Sequence, residues 1–160
     1  MDALLKQLKE NARQSAEDLA GMLGLSADDI RGRIAEYERQ GIIRGYQAIL
    51  DEDRIESPER VTAIIEVKVT PEREGGFNRL AMRISRFPEV NAAYLMSGQA
   101  DLLLFVEGGS LKDVAQFVSE KLATIQGVTA TNTAFMLKAY KKHGLLMETQ
   151  DEYERLKVVP

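Results

Sequence analysis

The chain has 160 residues, 44% of them apolar and 29% charged, with a formal net charge of -4. That is enough for one ordinary domain or two small ones, and it gives no global pull towards nucleic acid. The absence of cysteine excludes a disulfide framework, a thiolate metal site and a cysteine nucleophile. No apolar run approaches the ~18 residues of a membrane helix. The start Met1-Asp2-Ala3-Leu4-Leu5-Lys6 turns charged too soon for a signal peptide, so a cytoplasmic location is expected.

In chain order, Leu4, Leu5, Leu8 and Ala12 form a helical stripe with Lys6, Gln7, Lys9 and Glu10 between them. Ser15, with Asp18 three residues on, reads as a helix start, and Leu19, Met22 and Leu23 as its stripe. Gly24 ends that helix. Ser26 repeats the start signal with Asp29, and Ile30, Ile34 and Tyr37 follow on one side. Asp28, Gly32, Ala35, Glu36 and Arg39 face away from them, and Gly41 supplies the left-handed stop. Three helices with a tight glycine turn between the last two match a helix-turn-helix. The expected core is Leu4, Leu5, Leu8, Leu19, Leu23, Leu25, Ile30, Ile34 and Tyr37, closed by Ile42 or Ile43. A plain three-helix bundle that binds nothing shares this spacing.

Charge bears on that choice. Residues 1–50 carry seven Lys/Arg and eight Asp/Glu. Arg31, Arg33 and Arg39 are set against Asp28, Asp29, Glu36 and Glu38, whereas affinity for DNA is largely electrostatic. The two acids in the first turn of the third helix suit its dipole. They are also able to accept from cytosine amino groups, though capping is the simpler role.

Ile42 to Leu50 reads as an extended segment. Asp51 to Arg60 reads as a charged linker punctuated by Pro58, rather than as a metal site. Val61 to Thr70 is β-branched and alternating, hence a strand stopped by Pro71. A helix is expected over Glu74 to Arg86, burying Phe77, Leu80, Ala81 and Ile84. Strands follow at Val90 to Met96 and Asp101 to Glu107, with a turn at Ser97-Gly98-Gln99-Ala100. A second helix is expected over Leu111 to Leu122, with Leu111, Val114, Ala115, Val118 and Leu122 inward, then a strand over Val128 to Leu137. The order β-α-β-β-α-β is the ferredoxin-like split unit, an antiparallel sheet with helices on one face. Ile64, Tyr94, Leu103 and Phe105 would leave its other face too apolar to stay wet, so a homodimer is expected.

Together the two halves resemble the Lrp/AsnC family of feast/famine regulators. The motifs are Leu8 to Arg13, Asp18-Leu19-Ala20, Leu23-Gly24-Leu25-Ser26, Arg33 to Ile43 and Gly45-Tyr46. Met96 to Leu102 and Ile125-Gln126-Gly127-Val128 continue the match, which covers residues 3–140. The resemblance implies an α+β protein: a winged-type three-helix helix-turn-helix over 1–45, an extended segment and linker over 46–60, and a ferredoxin-like effector-binding and oligomerisation domain over 61–140. A C-terminal tail, 141–160, forms a short helix on a neighbouring subunit or stays disordered.

The implied function is a sequence-specific, double-stranded-DNA-binding transcription regulator that responds to an amino acid or related metabolite. It would act as a homodimer assembling to an octamer or similar, with no cofactor, metal or membrane partner. The expected DNA-binding residues are Ser26, Asp28, Arg31, Gly32, Arg33, Ala35, Arg39 and Arg44. Arg31 and Arg39 would contact bases or phosphate, and Arg33, Arg44 and Lys9 would make positioning phosphate contacts. The expected effector-binding residues are Met96, Ser97, Gly98, Gln99, Asp101, Thr131 and Thr133. Gly98 lets backbone amides approach a carboxylate, Asp101 pairs with an α-ammonium group, and the threonines add hydroxyls. Against these roles stand a turn-closing acid for Asp101 and ordinary strand filler for the threonines. Ala100 departs from the aromatic often found there, which implies a different effector or a roomier pocket. Small Gly32 and Ala35 shift specificity towards DNA shape and bending.

Two other functions compete. The near-neutral helical head suits a ligand-sensing module that binds protein rather than DNA. An enzyme is not expected: the single histidine, His143, lies beside Lys141, Lys142 and Gly144 and reads as a surface residue, with no Ser-His or metal-spaced cluster.

Overall fold

A computed structural model describes residues 1–56, 60–70 and 76–147. The chain divides between Leu50 and Asp51 into two compact units. The first holds α1 (Ala3–Glu10), α2 (Ala16–Leu23) and α3 (Ala27–Arg39), and each helix begins on a side-chain cap. Asp2 accepts from Leu4 N at 2.9 Å. Ser15 Oγ accepts from Asp18 N and Ser26 Oγ from Asp29 N, at 3.0 and 3.1 Å. Both serines also donate to those aspartates' carboxylates, so each cap is closed by a side-chain bond and not by the reciprocal backbone bond of the expected box.

Gly24 ends α2 at φ 67°. The end of α3 is a Schellman motif: Gly41 N donates to Glu38 O at 3.0 Å and Ile42 N to Tyr37 O at 2.9 Å. Gly41 carries the required φ of 68°. Residues 42–50 form no strand.

The core of this unit is Leu4, Leu8, Leu19, Ala20 and Ile30, with Ala16, Leu23, Ile34, Tyr37 and Ile43 packed around it. Several expectations shift. Ala12 lies beyond α1 and is exposed. Met22 is 60% exposed, and Ala20 takes the inward place, because Ala16, Leu19, Ala20 and Leu23 are positions i, i+3, i+4 and i+7 of one stripe. Leu25, in the turn, is exposed, and Ile43 rather than Ile42 closes the core.

The second unit is β1 (Val61–Val69), α4 (Gly76–Ile84), β2 (Val90–Leu95), β3 (Leu102–Gly108), α5 (Leu111–Gln116) and β4 (Val128–Phe135). The sheet order is β2-β3-β1-β4, and its three neighbouring pairs are all antiparallel. This is the ferredoxin-like arrangement. Ala63, Ile65, Val67 and Val69 alternate inward and pack with Leu102, Leu104 and Val106 beneath the helices. On α4 the buried side is Leu80 and Ile84, with Phe77 and Ala81 packed against them, as the sequence predicts.

On α5 the prediction is half right. Val114 and Leu122 are buried and Val118 packs against the same core, but Leu111 and Ala115 are exposed, and Phe117 is inward instead. Val114 and Phe117 are three residues apart, at ordinary α spacing; a π-helical turn over Phe117–Leu122, where Ala123 N donates five residues back to Val118 O at 2.8 Å, then carries the stripe on to Leu122. The wider turn shifts the stripe by one residue beyond Phe117, and Phe117 itself stands edge-on against Phe87, with ring centroids 5.6 Å apart.

The C-terminal stretch also differs from expectation. Lys141–Lys142 (β5) and Leu145–Leu146 (β6) pair as a hairpin rather than starting a tail. Its two turn residues, His143 and Gly144, both have positive φ, the two-residue turn that fits strand twist. His143 is exposed, as predicted. The linker residues Ser57-Pro58-Glu59, the strand stop Pro71, the helix start at Glu74 and the tail from Glu148 lie outside the described residues.

Candidate functional sites

The outer face of α3 gathers Asp28, Arg31, Gly32, Ala35 and Arg39, all exposed. A Cβ added at Gly32 meets nothing within 4 Å, so neither packing nor backbone strain explains the glycine there. Each arginine of the helix has a carboxylate partner. Arg31 bridges Asp28 at 2.9 Å and Glu17 of α2, and so ties the two helices together. Arg39 holds Glu36 through Nε at 2.8 Å. That pairing, then Gln40, lowers the Glu36 carboxyl below its ordinary value.

Arg33 stands apart from the other two. It turns inward along the helix, reaching Asp2 at 2.7 Å and the Tyr37 hydroxyl at 3.5 Å. Tyr37 and then Asp2 raise it above its ordinary value. Burial pushes the Asp2 carboxyl up, but the Leu4 and Leu5 N–H groups and Arg33 outweigh that and leave it lowered. Arg33 thus pins the start of α1 to α3. Ser26 spends its hydroxyl on the cap. Arg44 is exposed beyond the stop, its guanidinium lying over Gly41. Lys9 is exposed in the last turn of α1.

The second candidate site is the turn between β2 and β3. Met96, Ser97, Gly98 and Gln99 are exposed, while Asp101 is half-buried. Met96 N donates to Asp101 O at 2.8 Å and closes the turn. The β3 side of β1 pairs only as far as Val67 opposite Leu102. Beyond it the Val69 N–H would be orphaned. Asp101 Oδ2 accepts from it at 2.8 Å, so the carboxylate stands where the next strand residue would. Gly98 has neither a positive φ nor a neighbour within 4 Å of an added Cβ, so the fold does not demand glycine there.

Thr131 and Thr133 sit opposite Val67 and Ile65, on the helix-covered face. Thr131 is thus two strands from Leu102, ~10 Å at ~4.8 Å per strand, and Thr133 is one pair further on. The structure gathers Asp101 and Thr131 at one end of β1 and sets Thr133 farther away.

Sequence reasoning missed the Asp2 cap and its arginine, the Asp101–Val69 tie and the Phe117 side of α5. The first had a legible signal, an acid directly before an apolar stripe. The second depends on a strand end that no spacing marks, whereas Phe117 stands three residues after Val114, at ordinary helical spacing.

Residues 2–38 match the AsnC-type helix-turn-helix domain. Residues 62–146 match the Lrp/AsnC ligand binding domain. The chain belongs to the Lrp/AsnC family. Like other Lrp/AsnC proteins it is a DNA-binding transcriptional regulator, and its second unit is the family's ligand-binding domain. It is 43% identical over 157 residues to the HTH-type transcriptional regulator YugG of Bacillus subtilis (strain 168), across 98% of this chain and 95% of the relative. It is 30% identical to the proline dehydrogenase transcriptional activator of Rhodobacter capsulatus, over 85% of this chain and 87% of that one. Among solved structures it is similar to a transcriptional regulator from Neisseria meningitidis in complex with L-Met. That likeness has a TM-score of 0.63 at 26% identity, over 89% of this chain and 93% of that one. Among the described residues no helix is long and apolar enough to cross a membrane.

Proposed function

We propose that this regulator reads its operator with the outer face of α3 and takes an amino acid as effector at the Met96–Asp101 turn. The observation that carries the second part is the divided carboxylate of Asp101. One oxygen holds Val69, and among the described residues nothing donates to the other. An α-ammonium group supplies the missing donor. The exposed backbone around Gly98 faces the ligand carboxylate, and Thr131 adds a hydroxyl. The regulator from Neisseria meningitidis crystallised with L-Met supports an amino acid as the class. On the head, Arg31 and Arg39 contact bases or phosphate, Arg44 and Lys9 contact phosphate, and Arg33 acts through packing. A regulator of chromosomal DNA with this ligand works in the cytoplasm.

The bare face of the sheet supports a homodimer, a building block for larger assemblies. Ile64 stands opposite Phe105, and Tyr94 opposite Leu103, all on that face. Tyr94 is 54% exposed and meets Phe105 edge-on at 6.1 Å. Such an apolar patch marks an interface.

The test is calorimetric titration of amino acids into wild type and Asp101→Asn. Asparagine keeps an acceptor for Val69 and removes the charge. Wild type is expected to bind at least one amino acid, and the variant to stay folded and lose it. Binding that survives in the variant would remove Asp101 from the site.

A further inference from the structure

One acid of the head is explained neither by capping nor by packing. Glu17 stands in the first turn of α2, directly before Asp18, and Asp18 already closes the cap with Ser15. The Glu17 carboxylate instead reaches out of its own helix and holds one terminal nitrogen of Arg31 on α3. Asp28 takes the other at 2.9 Å. The contact is open to water, with the Glu17 side chain 64% exposed and that of Arg31 53%, and an ion pair so exposed adds little stability. Its place is also costly for a head that binds DNA. In a helix-turn-helix the second helix of the pair enters the major groove and the one before it crosses the phosphate backbone. The start of that crossing helix, with its free N–H groups, suits a phosphate, and an acid there repels one. Arg31 is moreover the cation on which the first half of the reading face depends. Arg33 is turned to Asp2 and Tyr37, Arg39 lies at the far end of α3, and Gly32 and Ala35 carry no side chain that hydrogen-bonds a base.

We infer that Glu17 determines specificity as a positioning residue: with Asp28 it withholds Arg31 from phosphate and aims it at a base edge. The inference rests on the reading of Arg31 as a DNA contact. A guanidinium has five N–H donors. The two carboxylates engage one terminal nitrogen each, which leaves donors enough for the bidentate pair that guanine O6 and N7 accept. Arg31 therefore meets guanine without leaving either carboxylate. Pairing with phosphate, by contrast, sets Glu17 and Asp28 against a like charge. A wrong sequence offers Arg31 only phosphate, so the repulsion falls hardest on the non-specific complex. Such a repulsive element raises discrimination rather than affinity. It also gives a reason for acids that balance the arginines of α3: they weaken the wrong complex more than the right one.

The test compares the full chain as wild type, Glu17→Gln, Arg31→Ala and the double variant on two duplexes. One is selected by the wild type from a random-sequence library, and the other holds the same bases scrambled. Fluorescence anisotropy follows binding between about 0.05 and 0.2 M salt, a range in which phosphate contacts show as a slope. Glutamine keeps the length of Glu17 and an acceptor for Arg31 while removing the charge. Glu17→Gln is expected to tighten the scrambled duplex ~2–5-fold per head, the scale of one exposed ion pair. The selected duplex is expected to change less, so the ratio of the two affinities falls. The salt slope on the scrambled duplex is expected to steepen by about 0.9 per head as Arg31 turns to phosphate. With Arg31→Ala already present, Glu17→Gln is expected to leave the ratio unmoved. A merely structural tie would weaken both duplexes alike and lower the head's melting temperature, with ratio and slope unchanged, and that result overturns the inference. An equal fall in the ratio with Arg31 absent overturns it too, because Glu17 would then act on DNA by its own charge alone. If Arg31→Ala leaves both duplexes bound as before, the reading of Arg31 itself fails. If Arg31→Ala loses the selected duplex while Glu17→Gln leaves the ratio unmoved, only the role of Glu17 is refuted.

Discussion

The two units of this regulator are held by different means. Among the described residues, the head buries five apolar side chains and the sheet unit thirteen. A helical unit of that size is close to the limit of what a small core supports alone. The head therefore leans on its ends: three side-chain caps, a Schellman stop and the Asp2–Arg33 tie. The sheet unit leans on strand register and on one continuous core. The unit that must present a reading surface is thus sensitive to single polar contacts, while the unit that holds a ligand has core to spare.

The hardest test of that contrast is to delete equal volume from both cores. Ile30 and Ile65 are each fully buried, and isoleucine to alanine in a core costs ~2–5 kcal/mol. Ile30→Ala is expected to unfold the head and abolish DNA binding while the effector is still bound. Ile65→Ala is expected to lower the melting temperature of the sheet unit and leave it folded at 25 °C. Differential scanning calorimetry with a gel-shift assay separates these outcomes, and loss of both activities in Ile30→Ala would refute the division.

Next comes the polar tie in the stronger unit. Asp101→Ala strands the Val69 N–H, and an unsatisfied buried donor costs ~1–3 kcal/mol. Chemical denaturation is expected to show that loss for alanine and little of it for Asp101→Asn. Equal destabilisation by the two would mean that the charge, not the acceptor, matters there.

The glycines sharpen the comparison further. Gly41→Ala meets both a φ of 68° and the Arg44 guanidinium at 3.1 Å from its Cβ. A left-handed residue with a Cβ costs ~1–2 kcal/mol, so the head alone is expected to melt earlier. Gly98→Ala meets nothing. It is expected to leave the melting curve unmoved and weaken effector binding. A stability loss at Gly98 would make it a structural glycine.

Much of this was readable beforehand, and what was readable shares one property. The Ser15 and Ser26 caps, the Gly24 and Gly41 stops and the alternation of β1 are local patterns whose physics is complete within a few residues. The parity of the bare face was legible too, because Ile64, Tyr94, Leu103 and Phe105 recur with period two. The widened turn after Phe117 was not, since a π-turn has no signature in spacing; Phe117 itself, three residues after Val114, was missed although its spacing is ordinary. The charge of α3 was visible as composition, but the partners of Arg31 and Arg33 come from α2 and from the cap of α1. Those are tertiary neighbours. Asp101 was readable as an acid at a turn, yet its bond to Val69 depends on where β1 outruns β3.

The smallest expected effects lie in the caps and in their titration. Ser26→Ala removes one cap of α3, typically ~1 kcal/mol, and is expected to lower the head's melting temperature with the sheet unit unaffected. For Asp2 the carboxyl is lowered below its ordinary value of 3.8. Its stabilising share is therefore present above that value and lost as pH falls through the lower folded value. Asp2→Asn is expected to flatten that acid limb in a pH-dependent unfolding series. An unchanged limb would show that the Asp2 charge is not what ties α1 to α3.

The Asp101 carboxylate has a consequence for how ligand binding can be followed. One oxygen closes the end of β1, and the other is the proposed ammonium partner. Whatever occupies the second oxygen changes the basicity of the first, and linkage makes the coupling reciprocal. The Val69 amide is thus a built-in reporter. Its exchange with solvent deuterium is expected to respond to effector occupancy although Val69 itself does not touch the ligand.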